Sequence, residues 1–315
     1  MWDIVSRIFP YAIAYTVPLL AASLGGLYSE RSGVFNIGLE GLMVVGSFVC
    51  AFVVKTLQPT LGQGALWIGL AAAAAGGLLF SVLHAFASIN LAANQVISGT
   101  AINMVAGALT VFLARTFTGS GNVHITLGFV PYDIPVLCKI PVLGPLLFTK
   151  TYATTWLVLS ILLLSWFVLY KTPFGLRLRA CGEHPQTADA AGVNVYRMRY
   201  AGVLISGALA GLAGACILVT FSGEFNGTVA GLGFLAMAAL IFGQWRPLGI
   251  LGATFFFGFA ATLANVSQAV PVLAKIPGLV LKAFPYVVTL LALVAFSKNT
   301  QGPRAAGEPF DAGKR

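Results

Sequence analysis

Charge is what this sequence has least of. Asp, Glu, Lys and Arg together supply 9% of its 315 residues, against about a quarter in soluble domains. With 58% hydrophobic residues and a mean hydropathy of +0.90, that scarcity excludes a soluble globular domain and leaves a polytopic membrane protein. Acid is scarcer still, with 9 Asp and Glu against 18 Lys and Arg. A nucleic-acid binder would gather such an excess on one face. Here the basic residues stand between apolar runs and at the chain end, where they set membrane topology. The 4 cysteines, Cys50, Cys138, Cys181 and Cys216, lie far apart without metal-ligand spacing. They exclude a disulfide or zinc framework and read as small packing residues. No G-x-x-x-x-G-K-[ST] loop is present, so the chain is not itself a P-loop ATPase. No His/Asp/Glu constellation suits hydrolysis or a metal, and no spaced Arg series suggests a voltage sensor. An enzyme is therefore not expected. Nor does the run after Arg7 end in a small-residue cleavage site, so it reads as a retained span.

What is present is a series of apolar runs near the roughly 20 residues needed to cross hydrocarbon. They cover 8–28, 33–54, 64–89, 95–116, 152–170, 199–221, 228–242, 248–270 and 284–297. The expected fold is an all-α transmembrane helical bundle of about nine segments. The seventh and ninth runs are short enough to be half-helices, or spans completed by their flanks. One transmembrane domain, 1–297, includes a basic loop at 171–199, and a tail at 298–315 follows it. With that loop in the cytoplasm, more basic residues fall inside than outside, and the N-terminus lies outside. The tail, rich in Gly, Pro and charge, is expected to be a disordered cytoplasmic end. In the outer interval 119–150, four prolines (Pro131, Pro135, Pro141, Pro145) defeat a continuous helix. That interval is expected to follow the membrane interface or form a lid. On the sixth helix Gly207, Gly211 and Ala215, and beside them Ser206, Ala210 and Gly214, make two small faces for close helix contact.

Few polar side chains interrupt the runs. Glu40 is the acid inside one; counted from residue 33 it lies roughly 10 Å into the membrane. A carboxylate there must be paired, protonated or facing water. It is either a gating residue on a translocation path or a structural group, capping a neighbouring half-helix or bonded to Asn36 and nearby backbone. A second cluster holds His84, Asn90, Asn94, Gln95, Ser98, Thr100 and Asn103. Its amides offer a donor and an acceptor each, suited either to a hydroxylated or heterocyclic solute or to tying helices together. Asn265 and Gln268 close the eighth run, and Phe225-Asn226-Gly227 opens the seventh. The candidate path is thus Asn36, Glu40, Asn94, Gln95, Asn103, Asn265 and Gln268, with no metal site and no catalytic residue.

Several stretches carry a family resemblance when taken in order. They are Glu30-Arg31-Ser32-Gly33-Val34-Phe35-Asn36-Ile37-Gly38-Leu39-Glu40-Gly41, Asn94-Gln95-Val96-Ile97-Ser98-Gly99, 140–148, 174–192 from Phe174-Gly175-Leu176-Arg177 through Ala191-Gly192, and 239–247. The chain resembles inner-membrane permeases of ATP-binding-cassette (ABC) importers, in the branch for branched-chain amino acids, simple sugars and nucleosides. It is most similar to the shorter of two paralogous permeases in nucleoside-type importers. The resemblance implies a multi-pass protein of the bacterial inner membrane, working by alternating access in contact with membrane lipid. It implies an ATP-binding subunit that holds ATP and Mg, a second permease and an extracytoplasmic solute-binding protein. It implies no cofactor on this chain and no nucleic-acid partner.

On that resemblance, a short cytoplasmic helix within 183–194 docks on the ATPase through Glu183, Ala188, Asp189, Ala190, Ala191 and Gly192. His184-Pro185-Gln186 departs from the family pattern, so the helix is expected to start at about Thr187. Arg177, Arg179, Arg197 and Arg199 are expected to rest against anionic lipid. Nucleosides are the first substrate class and simple sugars the second. The rival classes are an ion-coupled secondary transporter, for which Glu40 would have to carry the coupling, and a passive channel.

Overall fold

In hydrocarbon every backbone N–H and C=O must find its partner inside its own segment, so the apolar runs fold as helices. The computed structural model of the protein describes residues 2–266, 280, 283, 284, 287, 302–311 and 313. Within these residues the chain forms α1 (Trp2–Arg31), α2 (Leu39–Leu61), α3 (Gly64–Ala85), α4 (Gln95–Thr118), α5 (Ala153–Lys171), α6 (Pro173–Glu183), α7 (Pro185–Ala190), α8 (Val195–Ile217), α9 (Leu232–Phe242) and α10 (Pro247–Val266). Short π turns, Phe86–Asn90 and Leu218–Ser222, prolong α3 and α8. Among the described residues 7 helices are long and apolar enough to cross a membrane: α1 to α5, α8 and α10.

Two of the expected runs change shape. The second run begins as a turn, not as helix: the N–H groups of Ser32, Gly33 and Val34 bond back to residues 28–30, and Gly33 has a left-handed φ of 94°. α2 therefore starts at Leu39 and Glu40 stands in its first turn. The seventh run yields only α9, 11 residues long, which rises about 16 Å. That is roughly half the hydrocarbon thickness. A non-helical stretch, 226–231, precedes α9, with left-handed φ at Gly227, Ala230 and Gly231. It descends from β2 (Glu224–Phe225), at the end of α8 remote from the Arg31 side. α9 then runs to Trp245, whose indole meets Glu30 at the inner end of α1. The ninth run, apart from positions 284 and 287, lies outside the described residues.

α8 is the hub of the bundle, packed by α1, α2 and α3. Both small faces predicted on it are used. Gly207 and Gly211 abut Ala73, Gly77 and Ser81 of α3, while Gly214 meets the Met43 carbonyl of α2 so closely that a Cβ would overlap it. Such close approach is what holds helices together where lipid offers no hydrophobic drive. The interval 119–150 is tied to the bundle by backbone pairing. Its strand β1 (Val123–His124) pairs antiparallel with β2, Val123 opposite Phe225. Ile125 and Phe129 N–H groups bond to carbonyls of Gly223 and Val219, and Gln58 of α2 donates to Leu127 O at 2.6 Å.

The tail departs from expectation. Residues 302–311 are packed against the inner end of the bundle, with Ala305 and Phe310 buried. Polar composition predicted solvation, but Phe310 and the tail backbone find apolar and hydrogen-bonding partners there.

Candidate functional site

A half-helix that begins inside a bundle exposes unpaired N–H groups and the positive end of its dipole in a medium that cannot solvate them. Glu40 answers both. Gly231 N and Gly233 N donate to its two carboxylate oxygens at 2.8 and 2.7 Å. Gly233 packs so tightly that a Cβ would sit 2.5 Å from Glu40 N. At the foot of α9, Trp245 Nε1 donates to Glu30 Oε2 at 2.5 Å and Arg31 Nη2 donates to Trp245 O at 2.9 Å. Midway, Ser23 Oγ donates to Ala236 O at 2.8 Å. The two acids flanking the α1–α2 turn thus hold both ends of α9. The geometry at Glu40 is that of a cap on the head of α9.

The amides converge on the same turn. Asn36 Nδ2 donates to Ser206 Oγ at 3.0 Å, and its Oδ1 accepts from Gly38 N. Asn103 accepts from Gly41 N at 2.7 Å and donates to Ile37 O at 3.0 Å. Gln95 Oε1 accepts from Phe35 N at 2.6 Å. His84 is fully buried between Ser98 Oγ and Phe35 O. Because a carbonyl can only accept, the proton is assigned to Nε2 and the Ser98 hydroxyl donates to Nδ1. Asn94 is exposed and caps α4, accepting from Val96 N and Ile97 N. Asn265 falls in the last turn of α10, and Gln268 lies outside the described residues.

Above the head of α9 opens a cavity of about 420 Å³. Tyr15, Phe221, Ser47, Ser222, Glu224, Asn226 and Thr228 line it with Leu232 and Leu235 of the half-helix. The Tyr15 and Phe221 rings lie 4.7 Å apart, tilted by 31°. Glu224 Oε1 accepts from Asn122 Nδ2 at 2.6 Å and lies 3.3 Å from His124 Nε2. Asn36, Glu40, Asn94, Gln95 and Asn103 do not line this cavity, whereas Asn226, at the opening of the seventh run, does. Tyr15, Phe221 and Glu224 carried no signal, being an aromatic pair 206 positions apart and an acid in a polar stretch. Together they offer π faces and hydrogen-bonding groups inside an apolar bundle, a chemistry suited to a planar heterocycle bearing polar substituents.

On the inner face, Pro185 occupies the first position of α7, where its missing N–H costs nothing. The helix therefore starts before the expected Thr187. Pro185 and Ala188 are buried, while Asp189, Ala190, Ala191 and Gly192 are exposed. Gly192 closes the helix at a φ of 83°. Glu183 belongs to α6 and pairs with Arg31 at 3.4 Å, apart from the exposed face of α7. Arg199 is no lipid anchor: it is 1% exposed and its Nη1 donates to Glu308 O at 2.8 Å. Arg179 stacks over Tyr170 with 4.9 Å to the ring centroid. Cys181 is a packing thiol, its pKa pushed up to about 11 by burial. The 4 cysteines are all free.

Comparison with known proteins adds two kinds of likeness, to a family and to individual permeases. Residues 9–295 match the family described as "Branched-chain amino acid transport system / permease component". The chain is 45% identical over 315 residues to the guanosine ABC transporter permease protein NupQ of Bacillus subtilis, spanning 99% of each. It is 42% identical over 296 residues to the nucleoside ABC transporter permease protein NupC of Lactococcus lactis, spanning 94% of this chain and 93% of that one. A provisionally assigned glucose ABC transporter permease of Haloferax volcanii, TsgC13, is 36% identical over 310 residues and 91% of each chain.

Proposed function

From the premise that the chain belongs to the branched-chain amino acid transport system permease family, we propose that it forms the membrane-spanning path of an ATP-driven importer for nucleosides. It is a multi-pass membrane permease of the ABC class, and its chemistry is that of a path. The observation that carries the nucleoside reading is the cavity at the head of α9. The Tyr15–Phe221 pair gives a nucleobase a face to stack on, and Ser47, Ser222, Asn226 and Thr228 offer partners for ribose hydroxyls and ring N–H groups. Cavities of about 300–1,000 Å³ hold ligands of this size. Near-full-length similarity to two permeases named for guanosine and for nucleosides supports it.

The ATPase subunit docks on the exposed end of α7 and the turn after it, at Asp189 to Gly192, and ATP-driven closure of the ATPase pair shifts that helix. The shift reaches α9 through α6, the Arg31–Glu183 pair and the Glu30 and Glu40 contacts. Alternating access follows when the half-helix that floors the cavity moves. A second, paralogous permease and an extracytoplasmic solute-binding protein complete the assembly. The relative named for glucose favours simple sugars as the second reading.

Reconstitution of the full importer in liposomes, with the solute-binding protein outside, separates the two. ATP-dependent uptake of guanosine that excess adenosine reduces is expected. Uptake of glucose unaffected by any nucleoside would overturn the nucleoside reading, and uptake by this chain alone without an ATPase would overturn the ABC assembly.

A further inference from the structure

We propose that the C-terminal segment 302–311 is an intramolecular strap that positions α7 against the α1–α2 turn, with Phe310 as its anchor. The proposal rests on the reading of α7 as the ATPase contact. Within ten residues the segment touches each element that joins α7 to the half-helix. Ala305 N donates to Gly182 O at the end of α6 at 2.9 Å, and Gly307 N donates to Gly33 O in the α1–α2 turn at 3.3 Å. Glu308 O receives Arg199 Nη1 of α8 at 2.8 Å. Gly302 lies against the Trp245 ring, where a Cβ would be 3.1 Å away. Phe310 joins Cys181, Ala188 and Val195 in one buried apolar cluster and packs edge-on to Tyr196 at 5.4 Å.

The need for such a strap follows from how α7 is joined to the bundle. It is separated from α6 by a break at His184, with φ −143° and ψ 80°, and from α8 by residues 191–194. It buries only Pro185 and Ala188. A six-residue helix between two breaks, pushed by a partner, would pivot about His184 and dissipate the push. Phe310 fills the space under Ala188, and the segment's backbone bonds run on to Gly33, between the two acids that clamp α9. A displacement of α7 is therefore handed to the turn that holds the half-helix. Arg199 supports the same role: its Nε and Nη2 lack hydrogen-bond partners, so Glu308 O is its hydrogen-bond acceptor among the described residues.

The test compares the wild-type importer with Phe310→Ala, Phe310→Leu and a chain ending at residue 301, all assembled with the ATPase subunit, paired permease and solute-binding protein. With Phe310→Ala and with the truncation, the ATPase subunit still co-purifies and ATP is still hydrolysed, but solute imported per ATP falls about fivefold or more. Amide hydrogen exchange in 181–193 of the permease rises in the same variants. Phe310→Leu, which refills the cluster, restores both readouts. An unchanged import-to-hydrolysis ratio, an equal fall of import and hydrolysis, or loss of the assembled complex would each overturn the strap. Failure of the docking reading is seen separately: the ATPase subunit would then co-purify undiminished with a Gly192→Glu permease, whatever Phe310 does.

Discussion

At the scale of single residues, the acid inside an apolar run is a helix cap. Both carboxylate oxygens of Glu40 are engaged by N–H groups of α9. Glu40→Gln keeps one acceptor and loses the charge, whose place at a helix N-terminus stabilises by about 0.3–1 kcal/mol and up to ~2 kcal/mol when partly buried. That variant should retain reduced, ATP-dependent uptake. Glu40→Leu leaves both N–H groups without an acceptor, at about 1–3 kcal/mol each, and should lose assembly or transport. If Glu40→Gln instead assembles, exchanges solute and loses all ATP-driven uptake, the carboxylate carries protons and the capping account is wrong. The cavity makes a different prediction. Stacking on one aromatic ring is worth about 1–3 kcal/mol per base, so Tyr15→Ala and Phe221→Ala should each raise the guanosine concentration for half-maximal uptake about tenfold or more. The ATPase rate without solute should stay as it was.

Elements explain why small residues recur along this chain. α8 crosses α2 and α3 with backbone touching backbone, and Gly77 of α3 faces the Gly207 carbonyl without room for a methyl group. Gly77→Leu forces these helices apart. Overpacking of this kind costs typically 1–3 kcal/mol, and it should lower the melting temperature of the detergent-solubilised permease, read by intrinsic fluorescence. A wild-type melting curve would show that the contact tolerates a gap. α7 works under the opposite constraint. Space around Gly192 is open, with nothing within 4 Å of a Cβ, but its φ of 83° suits glycine. Gly192→Glu adds strain and a charge to the exposed end of α7. The expected result is normal insertion with loss of ATPase co-purification and of uptake; retention of both would remove α7 from the interface.

For the molecule as a whole, the alternation of crossings is kept from α1 to α10 among the described residues, although the seventh apolar run is helical over only half its depth. The non-helical stretch before α9 carries the chain from β2 to the Glu40 carboxylate inside the bundle, and the residues after α9 reach Glu30 and Arg31. The basic segment 171–199 therefore stays on the same side as Arg31 and Trp245. In intact cells a cysteine replacing Gln186 should resist an impermeant thiol reagent until the membrane is opened. One replacing Gly121 should react at once, and reversal of this order would overturn the orientation and with it the docking role of α7.

Hydropathy sufficed for the existence and order of the 7 spanning helices among the described residues, because lipid forces each segment to pair its own backbone and so makes helix formation a local property of sequence. The small faces of the sixth run were legible for the same reason: spacing on a helix fixes which residues share a side. The break at residues 33–38 was not, since Val34, Phe35 and Ile37 continue the apolar run while Gly33, Asn36 and Gly38 turn the chain. The duty of Glu40 was legible only as a choice between path and cap, because its acceptor groups wait for N–H donors 191 and 193 positions away. The aromatic pair in the cavity and the packed tail lay beyond any local pattern, Tyr15 meeting Phe221 across 206 positions and Arg199 meeting Glu308 across 109. Which side chains line a path, and which merely hold it open, is a matter of long-range partners. Those were decided by the tertiary structure, because a buried polar group in lipid must be satisfied wherever in the chain its partner happens to be.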